Sequence, residues 1–217
     1  MAINRQKISQ MTPKGSELDP TDLMEVSVDT GSGYETRSIT GQQIIAAGSY
    51  GLYTQTASST PVTNTTTETS LLDGGVGTLT VPANGFKVGD SFHAILTGHV
   101  SSVNNHTLRI RIKTDGIVLS DTGVITMAGA TSRHWKLEVY FTIRTLGASG
   151  VASIATGGTF MYTKNASTNF EGTNFSTETI TGFNTTISNT LAITAQWGTA
   201  NTGDSIYSEI FTLNKTF

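Results

Sequence analysis

The chain has 217 residues, of which 36% are hydrophobic and 13% charged, with 23 glycines, 4 prolines and no cysteine. Typical globular domains carry about 25% charged residues, so most of the polarity here comes from Thr, Ser and Asn. The absence of cysteine excludes a disulfide scaffold. A formal net charge of -3 excludes a basic surface that grips nucleic-acid phosphates. This composition favours a β-rich structural or surface-display protein over an enzyme.

The beginning of the chain shows no targeting segment. Residues 1–10 carry Arg5 and Lys7, but no apolar run follows them. We therefore expect no secretory signal peptide, and synthesis in the cytoplasm of the producing cell. No stretch approaches the roughly 20 apolar residues that a membrane-spanning helix needs, so we expect no membrane insertion.

Residues 1–48 predict a small mixed α/β module. A strand over 23–28, a glycine-rich turn and a strand over 34–39 predict a β-hairpin. Thr40 is a suitable N-cap for a short helix over 41–47, which is followed by a glycine. A module of this size cannot bury a core of its own, so we expect it to dock on sister chains or on another protein.

After a predicted linker over 49–62, residues 63–217 have the pattern of an antiparallel β-sandwich. The clearest strand lies over 134–144, where apolar and polar side chains alternate, and the same period of two recurs over 108–112 and 191–197. Further strands are predicted over 76–81, 90–100, 116–120, 151–163 and 204–214. Asp115-Gly116 between two apolar runs predicts a type I′ hairpin turn. Many strands with regular turns and almost no helix predict a jelly-roll-like knob.

The segment 164–189 differs from its neighbours, because phenylalanines are spaced among Thr, Asn and Ser. One interpretation is a long surface loop whose phenylalanines hold it against the sandwich. The other is an aromatic and polar loop that contacts a glycan or a protein, since rings stack on sugar faces while amides and hydroxyls supply hydrogen bonds. The candidate ligand-facing residues are Phe170, Asn174, Phe175 and Phe183.

The sequence contains no catalytic pattern. His93 and His99 share one face of a predicted strand and could form a metal site with His106 and a carboxylate, although half-buried strand histidines are the commoner explanation. No serine lies in a nucleophile motif, no carboxylates are paired, and no glycine-rich stretch has the Lys-Ser/Thr of a phosphate loop. We therefore expect no enzymatic activity, no metal and no cofactor.

A cationic stripe alternates with apolar residues at Arg109, Arg111 and Lys113. A solvated strand face opposite acidic residues is the default interpretation. The alternative is a contact between subunits or with an acidic partner.

Two parts of the chain resemble structural proteins of tailed bacteriophages. In the first, Lys7-Ile8-Ser9-Gln10, with Met11 in place of leucine, is followed by Thr21-Asp22-Leu23 and Ser38-Ile39-Thr40. This order is similar to the short N-terminal module of phage fibre and head-fibre proteins, which attaches a fibre to the virion, often as a trimer. The resemblance leads us to expect that virion anchoring involves Ile8, Met11, Leu23, Ile39 and Ile44.

The second part, about 86–217, is similar to a β-module of virion structural proteins. The matching phrases are Gly89-Asp90-Ser91-Phe92, Thr107-Leu108-Arg109-Ile110-Arg111-Ile112, Trp135-Lys136-Leu137-Glu138-Val139, Arg144-Thr145-Leu146-Gly147-Ala148-Ser149-Gly150 and Ala195-Gln196-Trp197-Gly198. Together the two resemblances imply a homotrimeric jelly-roll knob on a virion, with no cofactor and no catalysis.

The leading hypothesis is a virion structural protein, a trimeric head fibre or capsid decoration protein anchored by its N-terminus. No long shaft separates the two parts, so a short fibre or decoration protein fits better than a long tail fibre. The alternative is a tail-associated receptor-binding fibre protein that recognises host surface glycan. In both cases we expect the protein in the virion, with capsid or tail proteins as partners, and an enzyme such as a depolymerase is a distant third hypothesis.

Overall fold

The computed structural model describes residues 23–40, 50–165, 169–178 and 182–217. The chain divides into two compact units, Met1–Gly48 and Ser49–Phe217. All regular secondary structure within the described ranges is β-strand, and every strand pair there is antiparallel. The prediction of a mainly β fold built from antiparallel sheets is confirmed. The described ranges contain no helix long and apolar enough to span a membrane.

The first unit contains the predicted β-hairpin. Strand β1, Leu23–Asp29, pairs along its whole length with β2, Tyr34–Thr40. The turn is closed by a hydrogen bond of 2.9 Å from the Thr30 amide to the Gly33 carbonyl. The helix predicted over 41–47 lies outside the described residues.

The second unit contains the remaining strands. In chain order they are β3 Tyr50–Gln55, β4 Val62–Thr63, β5 Thr69–Ser70, β6 Gly75–Gly77, β7 Thr80–Val81, β8 Ser91–Ser102, β9 Thr107–Thr114, β10 Ile117–Asp121, β11 Ile125–Thr126, β12 Ala130–Thr145, β13 Ser153–Thr163, β14 Phe170–Thr177, β15 Asn189–Trp197 and β16 Ser205–Lys215. The larger sheet has the order β14-β13-β12-β8-β16-β3-β6, with β4 also paired to β16. The smaller sheet has the order β10-β9-β15-β5, with β11 paired to β9 and β7 paired to β15.

The long strands β8 and β12 form the middle of the larger sheet, and their alternation decides which side chains enter the core. All the apolar residues of the predicted alternation in β12 are buried, namely Trp135, Leu137, Val139, Phe141 and Ile143. Burying each such side chain contributes roughly 1.5–3 kcal/mol, which fixes the register because a slip by one residue would expose all of them. Leu137 therefore lies opposite Leu96, and Phe141 opposite Phe92.

The smaller sheet follows the same rule. Ile110 and Ile112 of β9 and Ile193 and Trp197 of β15 are buried in the same hydrophobic cluster as the core residues of β8 and β12. The connection from β9 to β10 is the predicted tight turn, and its two central residues, Asp115 and Gly116, have φ of +44° and +84°. Positive φ at both positions is what a type I′ turn requires.

Three predicted segments have a different structure from the one expected. The linker predicted over 49–62 contains β3, because Tyr50–Gln55 finds an antiparallel partner in β16 and Leu52 packs against the core. The loop predicted over 164–189 contains β14, an edge strand paired with β13 along its length. The strand predicted over 76–81 is two short strands, β6 and β7, which pair with different sheets.

Candidate binding face

The outer face of the larger sheet is the candidate functional site. It is formed by the side chains of β8, β12, β13, β14 and β16 that alternate with the core residues and point away from them. Exposed aromatic and apolar side chains stand on it among hydroxyls and amides, including Tyr140, Met161, Phe170 and Ile210. Of these, Tyr140 has its ring on an interior strand of the sheet, β12, whereas Phe170 lies on the edge strand β14.

A compact polar and aromatic cluster lies at the centre of this face. We call it the Tyr140 platform, made of His93 on β8 and Lys136, Glu138 and Tyr140 on β12. Tyr140 lies opposite His93 in the sheet register, and their rings stack with centroids 4.5 Å apart and planes inclined by 3°. The side chains are therefore held as a parallel pair by the positions of the two strands.

Hydrogen bonds to one carboxylate fix the platform. The Tyr140 hydroxyl donates to Glu138 Oε1 at 2.7 Å, and His93 Nε2 lies 2.8 Å from the same oxygen. Lys136 Nζ lies 2.7 Å from the other oxygen, Oε2. These partners, the Lys136 and Tyr140 hydrogen bonds first, lower the pKa of Glu138 to about 2. The same bond to Glu138 raises the pKa of Tyr140 above its ordinary value, so the phenol stays protonated and the carboxylate ionised.

The other neighbour of Tyr140 in the sheet is Gly157 of β13, which has no side chain. Tyr140 remains 52% exposed although His93 covers one face of its ring. The platform is therefore backed on one side by an imidazole and open on the side of β13.

The sequence-predicted ligand-facing residues separate into two groups. Phe170 is 73% exposed and Asn174 is exposed, and both border a shallow depression of about 230 Å³ between β13 and β14. Phe175 is half-buried and packs against the core. Phe183 is only 1% exposed and packs on Phe86 with ring centroids 5.9 Å apart. The prediction that Phe183 faces a ligand is therefore wrong, because its ring belongs to the core.

Three of the four histidines lie beside separate carboxylates. His93 pairs with Glu138 and His99 lies 3.0 Å from Glu209, without the geometry of a hydrogen bond. His106 Nδ1 lies 2.6 Å from the buried carboxylate of Asp204. His93 and His99 are six residues apart on β8, which corresponds to about 20 Å. The considered metal site is not assembled, and the described parts of the chain hold no group of three or more side chains suited to a metal ion.

Each cation of the stripe on β9 pairs with a carboxylate of the same chain, Arg111 and Lys113 sharing one. Glu68 lies 3.0 Å from Arg111 and 2.9 Å from Lys113, and Arg109 pairs with Asp121 at 2.5 Å. Partial burial opposes ionisation of Glu68 and Asp121, but hydrogen bonds and the neighbouring cations outweigh it and lower the pKa of both. The default interpretation is a solvated strand face opposite acidic residues. The acidic partners are present, but the side chain of Arg111 is only 14% exposed.

An apolar cavity of about 80 Å³ lies among core residues, including Leu79, Phe92, Phe183 and Leu191. The wall of this cavity is almost entirely apolar. Two polar residues in the wall, Thr114 and Asn189, bond each other, because the Thr114 hydroxyl donates a hydrogen bond of 3.2 Å to the Asn189 side chain. It offers no pair of groups suited to acid–base or nucleophilic chemistry.

The expected anchoring residues fall partly within the described hairpin. Leu23 is 70% exposed and the neighbouring Met24 is also exposed, whereas Ile39 is half-buried. Ile8, Met11 and Ile44 lie outside the described residues. The hairpin thus presents apolar side chains at its open end.

Sequence reasoning did not identify the Tyr140 platform. The alternation in β12 placed Tyr140 on the polar face, but the partner His93 is distant in sequence, and only the strand register brings the two rings together. A large aromatic residue at an outward position of a strand was the available signal.

Comparisons with protein-family models, with curated proteins and with solved structures found no match.

Proposed function

We propose that the protein is a structural component of a tailed-bacteriophage virion, a trimeric head fibre or capsid decoration protein. Residues 1–48 anchor it to other virion proteins, and the second unit is displayed as a knob. It is made in the host cytoplasm and then incorporated into the virion. No catalysis, metal or cofactor is part of this function.

The exposed apolar end of the hairpin carries this proposal. Leu23 is 70% exposed and Met24 42% exposed in a two-stranded sheet. Leu23 and Met24 are consecutive in β1 and therefore point to opposite faces of the hairpin. An isolated hairpin is marginally stable in water, and further strands or another packing partner are needed for its stability. A partner surface that covers these residues stabilises the hairpin, and three hairpins in a trimer bind with an avidity that exceeds the affinity of one.

The sheet order supports a jelly-roll-like sandwich for the displayed unit. In the larger sheet β8, β12, β13 and β14 lie side by side, and β16 returns by a long connection to lie beside β8. In the smaller sheet β15 returns in the same way beside β9. Long returns that place a late strand beside an early one also occur in the Greek keys from which a jelly roll is built. We further propose that the hairpin and the helix predicted over 41–47 together form a mixed α/β module.

A virion incorporation experiment tests the anchor. The paired substitution Leu23→Lys and Met24→Lys in the full-length chain should abolish incorporation into purified virions, because the covered apolar surface becomes charged. Val88→Lys is the matched control, since Val88 is exposed on the second unit. Incorporation of the hairpin variant at the wild-type level would show that the anchor is elsewhere, and a monomeric mass in solution would contradict the trimer.

A tail-associated receptor-binding protein is the second candidate function. The observation that favours it is the exposed pair Phe170 and Asn174 beside the depression on the outer face. Aromatic rings with adjacent amides suit a host surface glycan. Saturable binding of the purified protein to host cells, lost after enzymatic removal of surface glycans, would favour this function over a purely structural one.

A further inference from the structure

One glycine on the outer face is not required by its surroundings. A Cβ added at Gly98, Gly158 or Gly172 would lie 2.1–2.4 Å from a backbone oxygen, so close packing explains those glycines. At Gly157 the nearest atoms would be 3.8 Å away, and its φ is not positive. Glycine in the interior of a strand weakens it relative to alanine, and besides bulges and bends it marks sites where a ligand or another backbone approaches closely.

Gly157 lies on the open side of the Tyr140 ring. The rings of His93 and Tyr140 are parallel, and the 4.5 Å between their centroids matches the spacing of neighbouring strands, so the stack runs along the row of paired residues. Beyond Tyr140 this row continues through Gly157 to Ser176. The interval from Tyr140 to Ser176 spans two strand spacings, about 10 Å. We call this interval the gap above Gly157. It accommodates one further ring stacked on Tyr140, because carbon atoms in contact lie about 3.5–4.0 Å apart.

The groups around this gap suit a neutral ligand with many hydroxyls. The charge of Glu138 is compensated within the platform by Lys136. The exposed hydroxyl of Ser176 and the exposed amide of Asn174 border the gap, and Asn174 is held by a hydrogen bond of 2.9 Å from Thr159. A pyranose ring has an apolar face of C–H groups that stacks on an aromatic ring and a rim of hydroxyls that bonds such groups.

We propose that the Tyr140 platform and the gap above Gly157 form a carbohydrate-binding site that stacks one pyranose ring on Tyr140. An extended peptide is a poorer occupant, because β12 and β13 are paired on both sides and offer no free backbone groups for strand addition. This inference deepens the second candidate function and rests on it for the ligand class, but it moves the main contact from Phe170 to Tyr140.

The test is a titration of the ¹⁵N-labelled full-length protein with methyl glycosides of glucose, galactose and N-acetylglucosamine, followed by amide chemical shifts. We expect saturable shifts at Tyr140, Gly157 and Ser176 with at least one glycoside, and a dissociation constant on the order of 1 mM. Tyr140→Ala should weaken binding by about tenfold or more, since it removes the stacking surface. Tyr140→Phe keeps the ring and should bind within about threefold of the wild type.

Matched glycine variants test the gap itself. Gly157→Val fills it without a backbone clash and should abolish the shifts. Gly51→Val is the control, because a Cβ at Gly51 also has room, with its nearest atom 3.7 Å away, but it lies at the other end of the row, beyond His93. Binding that survives both Gly157→Val and Tyr140→Ala but is lost in Phe170→Ala would overturn the site while leaving the receptor-binding function. The absence of saturable shifts with all three glycosides would overturn the site and argue against that function as well.

Discussion

Asp204 joins two turns of the second unit through a fully buried carboxylate. Its Oδ1 accepts a hydrogen bond of 2.8 Å from the Val103 amide, and its Oδ2 lies 2.6 Å from His106 Nδ1. The side chain has no exposed surface. Asp204→Ala would therefore leave two donors without their acceptor, at the place where the turn before β9 meets the turn before β16.

The expected loss of stability can be estimated for each donor. Leaving a buried backbone donor unsatisfied costs about 1–3 kcal/mol. His106 is 23% exposed, so water partly replaces its partner, and its loss adds about 1 kcal/mol. We expect Asp204→Ala to lower the free energy of unfolding by about 3 kcal/mol, which for a chain of this size lowers Tm by about 6–12 °C. Asp204→Asn keeps an oxygen for Val103 and should lose about half as much.

Urea unfolding of the full-length chain measures these differences, and hydrogen exchange at the Val103 amide locates them. In Asp204→Ala this amide should exchange faster than its neighbours in β8, whereas Asp204→Asn should largely preserve its protection. A loss below about 1 kcal/mol in Asp204→Ala, or unchanged protection of Val103, would refute the assignment of this carboxylate as the link between the turns.

Three other perturbations have defined outcomes. Gly158→Ala should destabilise the protein by about 1–3 kcal/mol in urea unfolding, because its Cβ would lie 2.4 Å from the Glu138 carbonyl, while Gly157→Ala should stabilise it by about 0.5–1 kcal/mol; equal effects would contradict the packing argument. The pKa of Glu138 falls from 4.5 to about 2, so its contribution is complete above pH 4.5 and is lost as pH falls to 2. Between pH 4.5 and 2 the free energy of unfolding of Glu138→Gln should fall less steeply with decreasing pH than that of the wild type. An unchanged slope would count against the pairing. Burial, with the charge of Glu171, raises the pKa of Tyr162 from 10.0 to about 12, so its contribution is complete below pH 10 and is lost as pH rises to 12. Because the pKa of Tyr140 is raised as well, phenolate absorbance of Tyr162→Phe should show one late-titrating tyrosine fewer than that of the wild type, and an unchanged number of late-titrating tyrosines would disprove the assignment.

The alternating residues of β12 show how much of the fold could be predicted from the sequence. Trp135 and Phe141 were predicted to share one face, and both are buried. A period of two needs only local information, because successive side chains of a strand point to opposite faces. The hairpin in the first unit and the turn at Asp115-Gly116 were predictable for the same reason, since their conformations are set by a few adjacent residues.

The segment around β14 was not predictable in this way. As an edge strand it has one half-buried face and one exposed face, so Thr, Asn and Ser serve at positions where a central strand needs apolar residues. Phe170 and Phe183 have similar polar neighbours in the sequence, yet one is 73% exposed and the other 1% exposed. Only the pairing of β14 with β13 and the return of the chain towards β15 separate them.

The sequence alone determined that the chain is rich in antiparallel strands, which side chains of the strongest strands face the core, and where the tightest turns lie. The tertiary structure decided which strands are neighbours and in which register. That register places Tyr140 between His93 and Gly157, residues from three different strands. Contacts of this kind depend on hydrogen bonding and burial summed over whole sheets, and no local pattern of residues contains that sum.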